Sequence, residues 1–140
     1  MRPIGVSALL ALFACHESTA VEPLIIAGRW TFTEVLTDDL HGITCTSTGV
    51  YDIEQIGATF TGSYTQTGQC EDQNGDTRDN PGHGPLTDGR VRGLAIRFAI
   101  PPTCEYDGLA TQDRLSGNGL CELNDGVQTY KYFGTWEAVR

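Results

Sequence analysis

Basic residues are scarce in this chain, and their scarcity excludes one class of partner. Nine Lys and Arg residues stand against 18 Asp and Glu residues, which gives a formal net charge of −9. Nucleic-acid binding requires clustered Lys and Arg to neutralise phosphates. We therefore expect no nucleic-acid partner, and we interpret the acidity as a contribution to solubility.

Helical periodicity and the common catalytic motifs are also missing. No segment has apolar residues at sustained helical spacing. There is no G-x-S-x-G motif, no phosphate-binding loop and no C-x-x-C pair, so nothing indicates a serine hydrolase, a nucleotide site or a four-cysteine zinc site. We expect a protein that is not an enzyme, with no cofactor and no metal.

One acidic loop has part of the spacing of a calcium site. Residues 71–84 place oxygen-bearing side chains at alternate positions, in Asp72, Asn74 and Asp76. Thr77 stands where a calcium loop needs Gly, and no Glu closes the site. We interpret this segment as a solvated acidic loop.

The apolar run at the N-terminus is too short to span a bilayer. It extends from Ile4 to Ala14 after the single charge of Arg2, and its length is that of a signal-peptide core. The run ends in the residues LFAC, which resemble the bacterial lipoprotein signal, where cleavage precedes a lipid-bearing cysteine. An ordinary secretory signal, cut near residues 18–20, is the alternative.

The lipoprotein resemblance implies a division of the chain and a location. Residues 1–14 would be the signal peptide, Cys15 the lipidation site, 15–27 a tether and 28–140 a folded domain. The protein would be lipid-anchored in the bacterial cell envelope, outside the cytoplasm, or secreted under the alternative. Five cysteines agree with this, because an acylated Cys15 leaves four for two disulfides in an oxidising compartment.

Alternating patterns on either side of Gly57-Ala58 predict a β-hairpin. A two-residue turn there pairs residues whose alternating faces agree, and it sets Cys45 opposite Cys70. A second hairpin, symmetric about Gln112-Asp113, sets Cys104 opposite Cys121. We predict these two disulfides, and each closes a loop short enough to stabilise the fold by about 3 kcal/mol.

Eight short strands joined mostly by hairpins predict an all-β fold, an antiparallel up-and-down barrel. The strands are predicted at 28–36, 43–55, 59–70, 82–87, 90–100, 103–111, 114–123 and 128–139, with a tight turn at Asp88-Gly89 between the fourth and fifth. Their outward face is rich in Thr, Ser and acidic residues, unlike the apolar wall of a membrane barrel. Membrane contact would then come through the lipid anchor only.

The start of the first strand, Gly28-Arg29-Trp30, resembles the G-x-W start of lipocalin-like (calycin) barrels. In that family the Trp closes the barrel floor, and an Arg near the end of the last strand covers it. The resemblance assigns these roles to Trp30 and Arg140, and it implies a barrel that holds a ligand.

Inward positions toward the looser end of the barrel are the candidate ligand-binding residues: Glu34, Gln66, Phe98, Tyr106, Tyr130 and Tyr132. Several inward glycines leave room for a small, mostly apolar ligand, since eight strands enclose just enough space for one. Alternatively, aromatic side chains fill the interior. The protein would then act through its loops on a protein partner, for example as a hydrolase inhibitor, or serve as a structural protein of the envelope.

Overall fold

The computed structural model describes residues 21–140, which form nine antiparallel strands. The strands are β1 (Gly28–Asp38), β2 (Ile43–Ile56), β3 (Thr59–Glu71), β4 (Thr77–Asp79), β5 (Gly82–Arg92), β6 (Ala95–Ile100), β7 (Cys104–Ala110), β8 (Arg114–Asn124) and β9 (Thr129–Val139). Eight of them close into a barrel in the order β1-β2-β3-β5-β6-β7-β8-β9, and β9 pairs back with β1. The predicted eight-stranded antiparallel barrel is confirmed. Within residues 21–140 there is no helix long and apolar enough to cross a membrane.

Both predicted hairpin registers are present. In β2–β3, Cys45 lies opposite Cys70. In β7–β8, Cys104 lies opposite Cys121 and Tyr106 opposite Gly119. Both cysteine pairs are disulfide-bonded, so the predicted bridges are confirmed. Register was predictable here because a shift of one residue would turn every apolar side chain to the wrong face.

The turn predicted at Asp88-Gly89 is wrong, because β5 continues through these residues to Arg92. Asp88 has a φ of 55°, and the pairing with β6 shifts register between Thr87 and Arg90, which is a β-bulge. Turns and bulges both use a residue with positive φ, so Asp-Gly is compatible with either. The actual turn lies at residues 93–94.

The short strand β4 was not predicted. It pairs with the end of β3, where Arg78 lies opposite Cys70 and Thr77 opposite Glu71. This strand folds the acidic connection between β3 and β5 back against the barrel wall. Three exposed residues with no alternating apolar pattern leave no sequence signal for such a strand.

The connections fall at two ends of the barrel. The floor end holds the tight turns at 57–58, 93–94 and 111–113, and the open end holds the connections at 39–42, 72–81, 101–103 and 125–128. The hydrophobic core fills the half of the barrel nearer the floor end. Its buried side chains include Trp30, Phe32, Tyr51, Ile53, Phe60, Leu86, Leu115 and Trp136.

Candidate functional site

A cavity of about 300 Å³ lies between the filled core and the loops of the open end. Inward side chains of the strands form its walls, together with both disulfides and the connecting segments 80–82 and 101–103. Depressions of larger volume exist on the outer wall, but they are shallow and open to solvent. The open-end cavity is therefore the candidate binding site.

Glu34 of β1 contributes a buried carboxyl group to this cavity. The residue is 7% exposed, and its Oε2 atom has no hydrogen-bond partner in the protein. Burial raises the pKa of Glu34, and the hydroxyl of Tyr106 partly offsets that rise. Among the described residues that line the cavity, none is Lys, Arg or His. Since an unpaired buried carboxyl is costly in free energy, the cavity contains an acceptor that a ligand could satisfy.

Three tyrosines face this carboxyl from other strands: Tyr51 of β2, Tyr64 of β3 and Tyr106 of β7. Burial, and to a smaller extent the negative charge of Glu34, raises the pKa of all three hydroxyls. The hydroxyl of Tyr51 also has no hydrogen-bond partner in the protein. At neutral pH these three tyrosines are therefore neutral neighbours of Glu34, and none of the described residues that line the cavity brings a positive charge to it.

Four of the six residues predicted to bind a ligand line the cavity: Glu34, Gln66, Tyr106 and Tyr132. Phe98 lies deeper, in the hydrophobic core, where its ring stacks on Tyr106 with centroids 4.9 Å apart. Tyr130 lies at the rim, where the centroid of its ring is 4.6 Å from the centroid of the His41 ring. The alternating patterns of β6 and β9 put Phe98 and Tyr130 on the inward-facing side of their strands. They do not predict how far the hydrophobic core extends or where a strand leaves the barrel.

Several cavity residues were not predicted. Tyr64 and Leu36 line the cavity on the inward parity of their strands, so the alternating pattern contained the signal. Asn80, Pro101 and Pro102 come from connections, whose path depends on tertiary contacts. Gln66 illustrates this dependence, because its amide donates a hydrogen bond to the backbone carbonyl of Asn80 at 3.3 Å.

A buried carboxylate, Asp38, organises the rim at the end of β1. It accepts hydrogen bonds from the backbone amide of His41 at 2.9 Å and from that of Lys131 at 2.8 Å, and it contacts the His41 ring at 3.0 Å. Burial alone would raise the pKa of Asp38, but these hydrogen bonds outweigh it and lower the pKa. Asp38 thus ties the loop at 39–42 to β9, unlike Glu34, which has no such partners.

The floor end is closed by Trp30, Arg140 and the segment that precedes β1. The guanidinium carbon of Arg140 lies 4.3 Å from the centroid of the fully buried Trp30 ring, in cation–π geometry. Arg140 also donates hydrogen bonds to the backbone carbonyls of Gln112, Ala27 and Ile25. One side chain thus joins the first strand, the β7–β8 turn and the incoming chain.

Residues 24–27, which the sequence predicts as part of the tether, pack against this floor. Ile26 is fully buried, and its carbonyl accepts a hydrogen bond from the Trp30 indole at 2.8 Å. The side chain of Gln55 accepts from the backbone amide of Ile26 and donates to the carbonyl of Leu24. The remainder of the predicted tether up to residue 20, together with the signal peptide 1–14 and Cys15, lies outside the described residues.

The acidic loop, residues 71–84, contains hydrogen bonds between its own residues. The Asp72 carboxylate accepts hydrogen bonds from the backbone amides of Asn74 and Asp76, as in an Asx turn. Among residues 21–140, no group of three or more His, Cys, Asp or Glu residues is placed to hold a metal ion.

The chain was compared with protein families, curated proteins and solved structures, and none of them matches it. The candidate site therefore depends on the geometry of this chain alone.

Proposed function

We propose that this protein is a non-enzymatic binding protein that holds a small, mostly apolar molecule in the open-end cavity. The observation that carries the proposal is the cavity itself. Its volume of about 300 Å³ lies at the lower bound for small-molecule sites, and its lining is largely apolar with a few polar groups. A fully filled interior would have favoured action through the loops on a protein partner instead.

The contrast between Glu34 and the rest of the lining supports this proposal. Leu36, Ile100 and the disulfides offer apolar surface, whereas Glu34 and Gln66 offer polar atoms at defined positions. Binding sites for small molecules commonly combine an apolar wall with a few polar groups that fix orientation. The aromatic residues Tyr64, Tyr106 and Tyr132 add broad flat surfaces to the same cavity.

A titration with 2-phenylethanol, followed by amide NMR shifts, tests the proposal. We expect saturable shifts in the amides around the cavity, including those of Asn80, Gly82 and Thr103. Leu123→Trp, placed in the cavity lining, should weaken these shifts by blocking the mouth. Leu109→Trp is the matched control, because Leu109 is exposed on the outer wall. Equal binding by both variants, or shifts elsewhere on the barrel, would contradict the proposal.

We further propose that the protein is a lipoprotein of the bacterial cell envelope, anchored through Cys15. The residues LFAC at 12–15 and the two disulfides support export to an oxidising compartment. Because the incoming chain reaches the barrel at the floor, the anchor would leave the cavity mouth facing away from the membrane. Mass spectrometry should find acyl chains on an N-terminal Cys15, and Cys15→Ser should abolish both the lipid and the cleavage before residue 15. An N-terminus after residue 15 without lipid would favour simple secretion.

A further inference from the structure

We propose that the ligand of the cavity is a small organic ammonium cation, with an apolar body and one amine, and that Glu34 is its counter-ion. This inference rests on the proposed function and narrows it to one chemical class of ligand.

The first argument is the unbalanced charge of Glu34. Its Oε2 atom is buried without a hydrogen-bond partner, and no basic side chain stands among the described residues that line the cavity. Ionising such a carboxyl group is unfavourable until a cation or a strong donor reaches it. An ammonium group supplies both a positive charge and N–H donors. Its binding would therefore offset the free-energy cost of burying the Glu34 carboxyl without a partner.

The comparison with the other buried acid sharpens this argument. Asp38 is also buried at the same end of the barrel, but two backbone amides and His41 satisfy it. Asp38 thus has its partners within the chain. Glu34 is the exception among the buried acids of residues 21–140, and it is the one that lines the cavity.

The aromatic lining suits the same ligand. Tyr64, Tyr106 and Tyr132 line the cavity, and aromatic rings attract ammonium groups through their faces. Leu36 and Ile100 provide apolar contact for the rest of the molecule. The net charge of −9 also favours the approach of cations over anions.

A matched pair of probes separates charge from shape. We would titrate the disulfide-bonded protein with 2-phenylethylamine and with 2-phenylethanol at neutral pH, using calorimetry and amide NMR shifts. The amine should bind at least about tenfold more tightly, since a charge-assisted hydrogen bond replaces a neutral one. Glu34→Gln should remove this preference and leave the affinity for the alcohol similar. Glu54→Gln, which removes an exposed charge from β2, is the control and should keep the preference.

A second measurement reads the carboxyl group directly and does not depend on stability. The pKa of Glu34, followed by side-chain carbon NMR, should fall when the amine saturates the cavity, because a nearby positive charge favours the ionised form. The alcohol should not lower it in this way. The tyrosines that face Glu34, namely Tyr51, Tyr64 and Tyr106, should remain neutral throughout, because their pKa values are raised.

The outcomes distinguish this inference from the proposed function. If the alcohol binds as tightly as the amine, or if Glu34→Gln retains the preference for the amine, the ammonium ligand is ruled out while small-molecule binding stands. If neither probe binds in the cavity at millimolar concentration, both the proposed function and this inference fail.

Discussion

The two ends of the barrel differ in whether their buried polar groups have hydrogen-bond partners. At the floor end, Trp30 is fully buried, its indole is hydrogen-bonded, and Arg140 covers its ring. At the open end, Glu34 is also buried and lines the cavity, but one of its oxygens has no hydrogen-bond partner in the protein. The polar groups of Trp30 and Arg140 at the floor are satisfied within the chain, whereas one oxygen of Glu34 at the cavity is not. The difference supports the proposal that the floor maintains the fold and the open end binds a ligand.

Removing the central side chain of the floor should have the largest effect. We expect Trp30→Ala to lower the free energy of unfolding by about 3–5 kcal/mol, because it empties a fully packed site. Tyr132→Ala, at the half-exposed cavity wall, should cost only about 1 kcal/mol. Urea denaturation measures both values. Similar losses at the two positions would erase the distinction between the ends.

Disulfide removal should affect the open end in particular. Replacing Cys104 and Cys121 together by Ala should lower the free energy of unfolding by about 3 kcal/mol, since a closed loop is lost from the unfolded chain. Hydrogen exchange should rise at Glu122, whose amide donates a hydrogen bond to the carbonyl of Thr103, while the amides near Trp30 stay protected until global unfolding. If exchange increased equally at both ends, the barrel would have to be one cooperative unit without a separable mouth.

Arg140→Ala should have an intermediate effect. It removes hydrogen bonds to three backbone carbonyls and the contact over Trp30, and we expect a loss of about 1–2 kcal/mol. Faster hydrogen exchange in residues 24–27 would show that the incoming chain has loosened. Arg97→Ala is the matched control, because Arg97 makes only an exposed ion pair with Glu105. An equal loss of stability in Arg97→Ala would contradict the proposed role of Arg140 in closing the floor.

The smallest expected effect is the dependence of stability on pH at Glu34. Burial raises the pKa of Glu34 above its ordinary value of 4.5, so the folded state binds a proton more readily than the unfolded state. The resulting stabilisation is fully present below the ordinary pKa and is lost as pH rises through the raised pKa. Glu34→Gln should therefore have a flatter profile of melting temperature against pH and melt slightly higher at pH 8. A profile unchanged from that of the original protein would mean that Glu34 is solvated.

The regular hairpins were predictable from the sequence because strand alternation fixes which side chains face inward. Tyr106 and Gly119, for example, could be paired on adjacent strands from the alternation and the turn centred on Gln112-Asp113. The bulge at Asp88-Gly89 was not predictable, since the same dipeptide suits a turn and only the long pairing of β5 decides between them. The depth of the cavity was not predictable either, because Phe98 and Tyr106 share a parity but lie in the core and at its edge.

The pairing of β1 with β9 also constrains how the protein can fold. Thr31 lies beside Val139, so the seam joins the beginning and the end of the barrel sequence. Such contacts carry a large loop-closure entropy, and we expect the seam to form after the local hairpins. Until β9 arrives, β1 and β8 each present an unpaired strand edge, the kind of surface that pairs with other chains. The protein is thus most exposed to aggregation while its last strand is still being synthesised.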